Sequence, residues 1–96
     1  MSIYMIVEVI EVKNAEQYAE YIRRVPETIA KYGGRYLCRS NEADVIEGSW
    51  KPRRLVIVEF PSKEKFHAWY KSPEYRVIAS LREQSTQTNV IIIEGK

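Results

Sequence analysis

Two arginines, a glutamate and a group of aromatic residues carry the chemistry open to this chain. Arg39 offers a planar guanidinium fork, which grips a carboxylate or phosphate through two parallel hydrogen bonds. Arg82 offers a second. Glu59 lies inside the apolar run Leu55-Val56-Ile57-Val58-Glu59-Phe60. Desolvation there would raise its pKa towards that of a general base. Tyr36, Tyr70 and Tyr75, with Trp69, supply rings suited to a pocket for a small organic ligand, aromatic or anionic. Arg39 and Glu59 are expected to face one cavity rimmed by Tyr70, Tyr75 and Arg82, because a carboxylate beside a guanidinium is tolerated where a lone one is not. Two functions fit this set. One is a binding protein for a small ligand. The other is a cofactor-independent enzyme, isomerase- or monooxygenase-like, with Glu59 as base and Arg39 as anion clamp.

Other chemistries lack their residues. The chain has one histidine and one cysteine, too few for a disulfide framework or a His/Cys metal site. It has no glycine-rich phosphate loop and no dinucleotide fingerprint. No metal and no cofactor is therefore expected. His67, amid Lys65, Phe66 and Ala68, reads as part of a solvated helix face, and Cys38 carries no evident role. The net charge is +2, with lysine and arginine scattered, so no nucleic-acid footprint is expected. The nearest basic cluster, Lys51-Pro52-Arg53-Arg54, reads as a solvated turn. No segment approaches the ~20 apolar residues of a membrane span. The run Met1–Val12 contains Glu8 and Glu11 and lacks a basic leader, so no secretory signal and no membrane partner is expected. A cytoplasmic location follows.

The elements that must position the candidate residues are legible. Ile3–Val12 is branched or aromatic with two acids, and reads as a strand. Asn14 then has the character of an N-cap, with Gln17 in capping-box position. Tyr18, Ile22, Val25, Ile29 and Tyr32 step by four and three, one face of a helix. Pro26 should kink or split that helix, and Gly33-Gly34 should end it. A valine at Gly34 should be destabilising, because positive φ is expected there. Arg35–Arg39 is a second strand. Ser40–Glu42 reads as a bulge or turn, Asp44–Glu47 as renewed extended chain, and Gly48–Pro52 as a hairpin loop into the strand Leu55–Phe60. Ser62 and Ser72 cap two short helices, the second with Pro73 at its first position. After a polar stretch, Gln84–Thr88, Val90–Ile93 is the last strand. The order β-α-β-β-α-β predicts one α+β, ferredoxin-like domain over residues 1–96: a four-stranded antiparallel sheet with helices on one face.

The strands are apolar on both sides. Met5 and Val7 on the first strand, with Val56, Val58 and Phe60, are assigned to the helix-covered core. The opposite sets contain Ile6, Glu8, Ile57 and Glu59, and Arg39 is assigned with them. A face this apolar exceeds what a soluble monomer leaves exposed. A 96-residue chain buries only roughly 60–65% of its unfolded surface. Pairing of two identical sheets, a homodimer through the sheet face, answers both.

Gly33-Gly34-Arg35-Tyr36-Leu37-x-Arg39, Glu47-Gly48-x-Trp50-x-Pro52-x-Arg54-Leu55-Val56-x-x-Glu59-Phe60-Pro61-Ser62 and Trp69-Tyr70-x-Ser72-Pro73-Glu74-Tyr75 resemble the family known as domain of unknown function 1330. Tyr18-x-x-Tyr21 and Leu81-Arg82 fit as well, so the resemblance spans the chain. It implies a dimeric α/β-barrel, in which two ferredoxin-like units pack sheet to sheet, and supplies no reaction. The wider superfamily includes small monooxygenases, haem-degrading enzymes, lactone isomerases and ligand-sensing domains, and choosing among these would rest on fold alone.

Overall fold

The computed structural model describes all 96 residues. Seven elements follow the chain: β1 (Ile3–Val12), α1 (Ala15–Lys31), β2 (Arg35–Ser40), β3 (Arg54–Phe60), α2 (Lys63–Lys71), α3 (Pro73–Ser85) and β4 (Thr86–Glu94). The strands form one antiparallel sheet in the order β2-β3-β1-β4. Met5 lies opposite Val58 on one side and Ile92 on the other. This is the α+β, ferredoxin-like plan, with the second helical region split into α2 and α3.

The helices start where the side chains can cap them. Asn14 accepts from the Gln17 backbone N–H at 3.1 Å. Ser62 does the same for Lys65 and Ser72 for Tyr75, each at 3.1 Å. The Asn14 box is not reciprocal, since the Gln17 side chain donates to Gln84 instead. Pro26 neither ends nor splits α1, which runs unbroken to Lys31. Val25 and Ile29, on either side of the proline, are both buried. Their burial, roughly 1.5–3 kcal/mol each, offsets the one backbone bond the proline removes.

Gly33 alone of the Gly33-Gly34 pair has positive φ, 80°. Gly34 is needed for another reason. A Cβ there would stand 2.6 Å from Ile29 Cγ2 and 2.8 Å from Phe60 Cε1. Close approach of helix and strand, rather than φ, excludes a larger residue.

The core lies between the sheet and the helices. Ile3, Met5, Val7 and Val9 alternate into it from β1, and Val56, Val58 and Phe60 from β3. Trp69, Tyr75 and Ile78 meet them from above, each at most 2% exposed. The Cα positions span 36 × 36 × 16 Å, a slab thick enough for one sheet and one helical layer. The other face of the sheet is bare. Ile6 and Ile57 are half-buried there, while Ile91 and Ile93 are 55% and 48% exposed.

Three segments differ from expectation. Asp44–Glu47 is loop, not extended strand, and Val45 and Ile46 are exposed. The last strand begins at Thr86, four residues before its apolar run, because Gln87 and Thr86 pair with Glu11 and Val12 of β1. An edge strand tolerates that polar start. Third, the β2–β3 register slips between Tyr36 and Cys38. Leu37 is an extra residue, a β-bulge, and it reverses the phase of everything after it.

Candidate functional site

The bulge decides where Arg39 goes. Tyr36 lies opposite Val58, Cys38 opposite Ile57 and Arg39 opposite Val56. Val56 and Val58 face the helices, so Tyr36 and Arg39 both share that face although they are three apart. Plain alternation would put Arg39 on the bare face, as expected from the sequence. The structure corrects this: Arg39 lines a cavity between sheet and helices, its guanidinium 4.4 Å from the Tyr36 ring centroid.

Tyr36, Arg39, Tyr70, Tyr75 and Arg82 all line this cavity, together with Trp69. Glu59 does not. It is paired with Tyr4 across the sheet and points to the bare face, where Arg35 Nε donates to its Oε1 at 2.8 Å. Hydrogen bonds from Ser2 and then Arg35 hold its carboxyl below the usual range. A general base needs the opposite shift. Glu59 and Arg39 thus occupy opposite faces, and the arrangement of Glu59 as base beside Arg39 as clamp is not formed. Glu8 is also on the bare face, accepting from Trp50 Nε1 at 2.8 Å and Asn89 Nδ2 at 3.4 Å.

The cavity has a volume of about 50 Å³ and opens to solvent at its mouth. Fourteen of its 17 lining residues are aliphatic or aromatic, and the remaining three are Arg39, Arg54 and Arg82. No carboxylate lines it. None of the three arginines forms a salt bridge anywhere in the protein.

Arg82, on the last turn of α3, is 9% exposed. Its Nη1 donates to Thr88 Oγ1 at 2.7 Å and its Nε to the Tyr75 hydroxyl at 3.3 Å. The Tyr75 and Tyr21 hydroxyls are 2.9 Å apart. Burial pulls the Arg82 pKa down, but Tyr75 and Tyr21 outweigh it and the net shift is upward. The guanidinium therefore stays charged with hydroxyls as its only partners. Burial pushes Tyr21 well up, with Tyr75 adding to the effect, and takes Tyr36 up to about 12 despite Arg39. Both phenols are neutral at physiological pH.

Sequence reasoning missed Arg54 and Tyr21. Arg54 fell in a basic cluster taken for a solvated turn, yet it is the first residue of β3, in phase with Val56 and Val58. Its two-residue spacing from Val56 was the available signal. Tyr21 lies off the apolar stripe read along α1, but three residues after Tyr18, whose ring it stacks on. His67 lines only a shallow outer hollow, and Cys38 is a half-buried free thiol. No group of three or more His, Cys, Asp or Glu is placed to hold a metal ion. No helix is long and apolar enough to cross a membrane.

The element order and the four-stranded antiparallel sheet are those of a ferredoxin-like fold. The chain belongs to the family described as domain of unknown function (DUF1330), which matches residues 2–96. No curated protein matches the sequence. Among solved structures, a protein of unknown function from Rhodopseudomonas palustris is 20% identical with a TM-score of 0.80, covering 99% of this chain and 82% of its own. A dimeric ferredoxin-like protein of unknown function from Jannaschia sp. is 13% identical with a TM-score of 0.76, over 99% of this chain and all of the other. More distantly, SnoaB, a cofactor-independent oxygenase from Streptomyces nogalater, is 8% identical with a TM-score of 0.63, over 99% and 91%. At these identities the likeness is one of fold.

Proposed function

We propose that this chain forms a homodimer through the bare face of its sheet and that each protomer binds a small organic ligand in the cavity on the other face. One observation carries the binding half: Arg82 is a buried cation that meets only hydroxyls, beside an aromatic-lined space. Burying a charge without a counter-charge is costly, and a ligand with negative charge would offset that cost. The dimer half is supported by the apolar bare face and by solved relatives of this fold described as dimeric.

The ligand half is tested by thermal-shift screening of small aromatic acids, amides and amines. Acids among the hits should lose much of their effect in Arg82→Met, and acid hits unaffected by that substitution would remove Arg82 as the group that calls for a ligand. The dimer half is tested by sedimentation at micromolar concentration, where twice the chain mass is expected and a clean monomer would end it.

A further inference from the structure

Resting on that reading of the cavity, we propose that its ligand is a flat aromatic carboxylate of about one ring, with the carboxylate held by Arg54. Arg54 Nη1 donates to Asn41 Oδ1 at 2.9 Å. Its Nε is buried and has no acceptor. The Nε edge of a guanidinium is one of the two that fork onto a carboxylate, and here it is unused.

Arg39 stands on the neighbouring strand opposite Val56, two residues from Arg54, on the same face. Diagonal neighbours of this kind are roughly 7–8 Å apart at the backbone. Two like charges are thus set side by side with no acid between them, an arrangement that repels until an anion enters. The rest of the wall selects the kind of anion. It offers rings, among them Tyr36, Trp69 and Tyr70, and no lysine, serine, threonine or glycine. A phosphate dianion would have to shed more hydration than a carboxylate, in a wall with no lysine, serine or threonine and only arginine and tyrosine side chains as donors. A carboxylate carries less charge, and an attached ring would lie against the aromatic walls. The limited room favours one ring over a fused system.

The test is calorimetric titration of the intact protein with benzoate and phenylacetate, their amides, and phenyl phosphate. The carboxylates should bind, and the neutral amides should bind at least about tenfold more weakly, about 1.4 kcal/mol. Arg54→Gln should bring carboxylate affinity down to that of the amides, and Arg54→Lys should recover only part of it, since an ammonium offers no fork. If Arg54→Gln does not fold, the acid–amide comparison on the native protein still decides the class. Equal binding of acid and amide would overturn the carboxylate assignment while leaving the cavity as a ligand site. Tighter binding of phenyl phosphate would overturn it in favour of a phosphate. Binding by none of these compounds would overturn both this assignment and the reading beneath it.

Discussion

The two faces of this sheet are made by the same strands, yet they treat charge in opposite ways. On the bare face the two acids at mid-sheet are satisfied, Glu59 by Arg35 and Glu8 by Trp50 and Asn89. Around them lie Tyr4, Ile6, Ile57, Ile91 and Ile93, suited to packing against another apolar face. On the helix-covered face three arginines line a cavity with no acid among them. The difference separates a surface whose mid-sheet acids are paired within the chain from one whose cations have no counter-charge within it. Counting hydrophobic residues would rank both faces alike. Asking where each charge finds its partner tells them apart.

The largest way to break this contrast is a charge on the bare face. Ile57→Asp should dissociate the dimer or unfold the protein, because a carboxylate would be desolvated between sheets. A sedimentation profile unchanged from the parent would show that the face is not an interface. Next comes Gly34→Val, whose new atoms collide with Ile29 and Phe60. It should lose about 1–3 kcal/mol by overpacking, measured by urea unfolding. An unchanged midpoint would mean that α1 and β3 are free to move apart.

Arg82→Met sharpens the contrast by giving the inner face an apolar residue. In the unliganded protein it should leave stability unchanged or raise it by about 1–4 kcal/mol, as replacing buried charges often does. A loss above about 2 kcal/mol would mean that the Thr88 and Tyr75 bonds already compensate the charge. Such a result would weaken the case for a ligand.

The smallest effects are set by pH. Burial raises Tyr36 to about 12, so above pH ~10 the unfolded chain releases a proton that the folded chain keeps. Stability should be complete below pH ~10 and fall as pH rises towards 12, by up to about 2 kcal/mol after screening. Tyr36→Phe should flatten that slope. In acid the sign reverses. Glu74 is held low by Lys31, and Glu59 by Ser2 and Arg35. Their contributions are present above the ordinary carboxylate value of 4.5 and are lost as pH falls through the lower folded values. Glu74→Gln should remove a small part of that acid slope, read by thermal unfolding between pH 2 and 5.

Strands, caps and the two-faced sheet were legible because they rest on local patterns: alternation in Ile3–Val12, serine before each short helix, glycines after α1. Residue types at the site were legible too, since tyrosine and arginine stand out among aliphatics. The placement of Arg39 was not. A bulge at Leu37 leaves no mark in composition, and alternation counted through it gives the wrong face. Glu59 is on the bare face, as assigned, but its pairing with Arg39 at one cavity was misjudged, because it assumed that both residues shared one phase. Arg54 was hidden by its neighbours Lys51 and Arg53, whose charge suggested solvent. The polar start of β4 was overlooked because its pairing depends on β1, which is distant in sequence.

The extra residue in β2 also bears on how this chain can change by inheritance. Losing the single codon for Leu37 would leave Arg39 two residues after Tyr36, and plain alternation would then hold both on the helix-covered face, with Cys38 still opposite Ile57. Keeping Leu37 but drawing it into the ladder would do the reverse and turn Arg39 to the bare face. A shorter relative can therefore keep its arginine in the cavity, while one of equal length without the bulge would not. Spacing between tyrosine and arginine, three residues in one chain and two in another, is then no guide to the face until the gap at the bulge is counted.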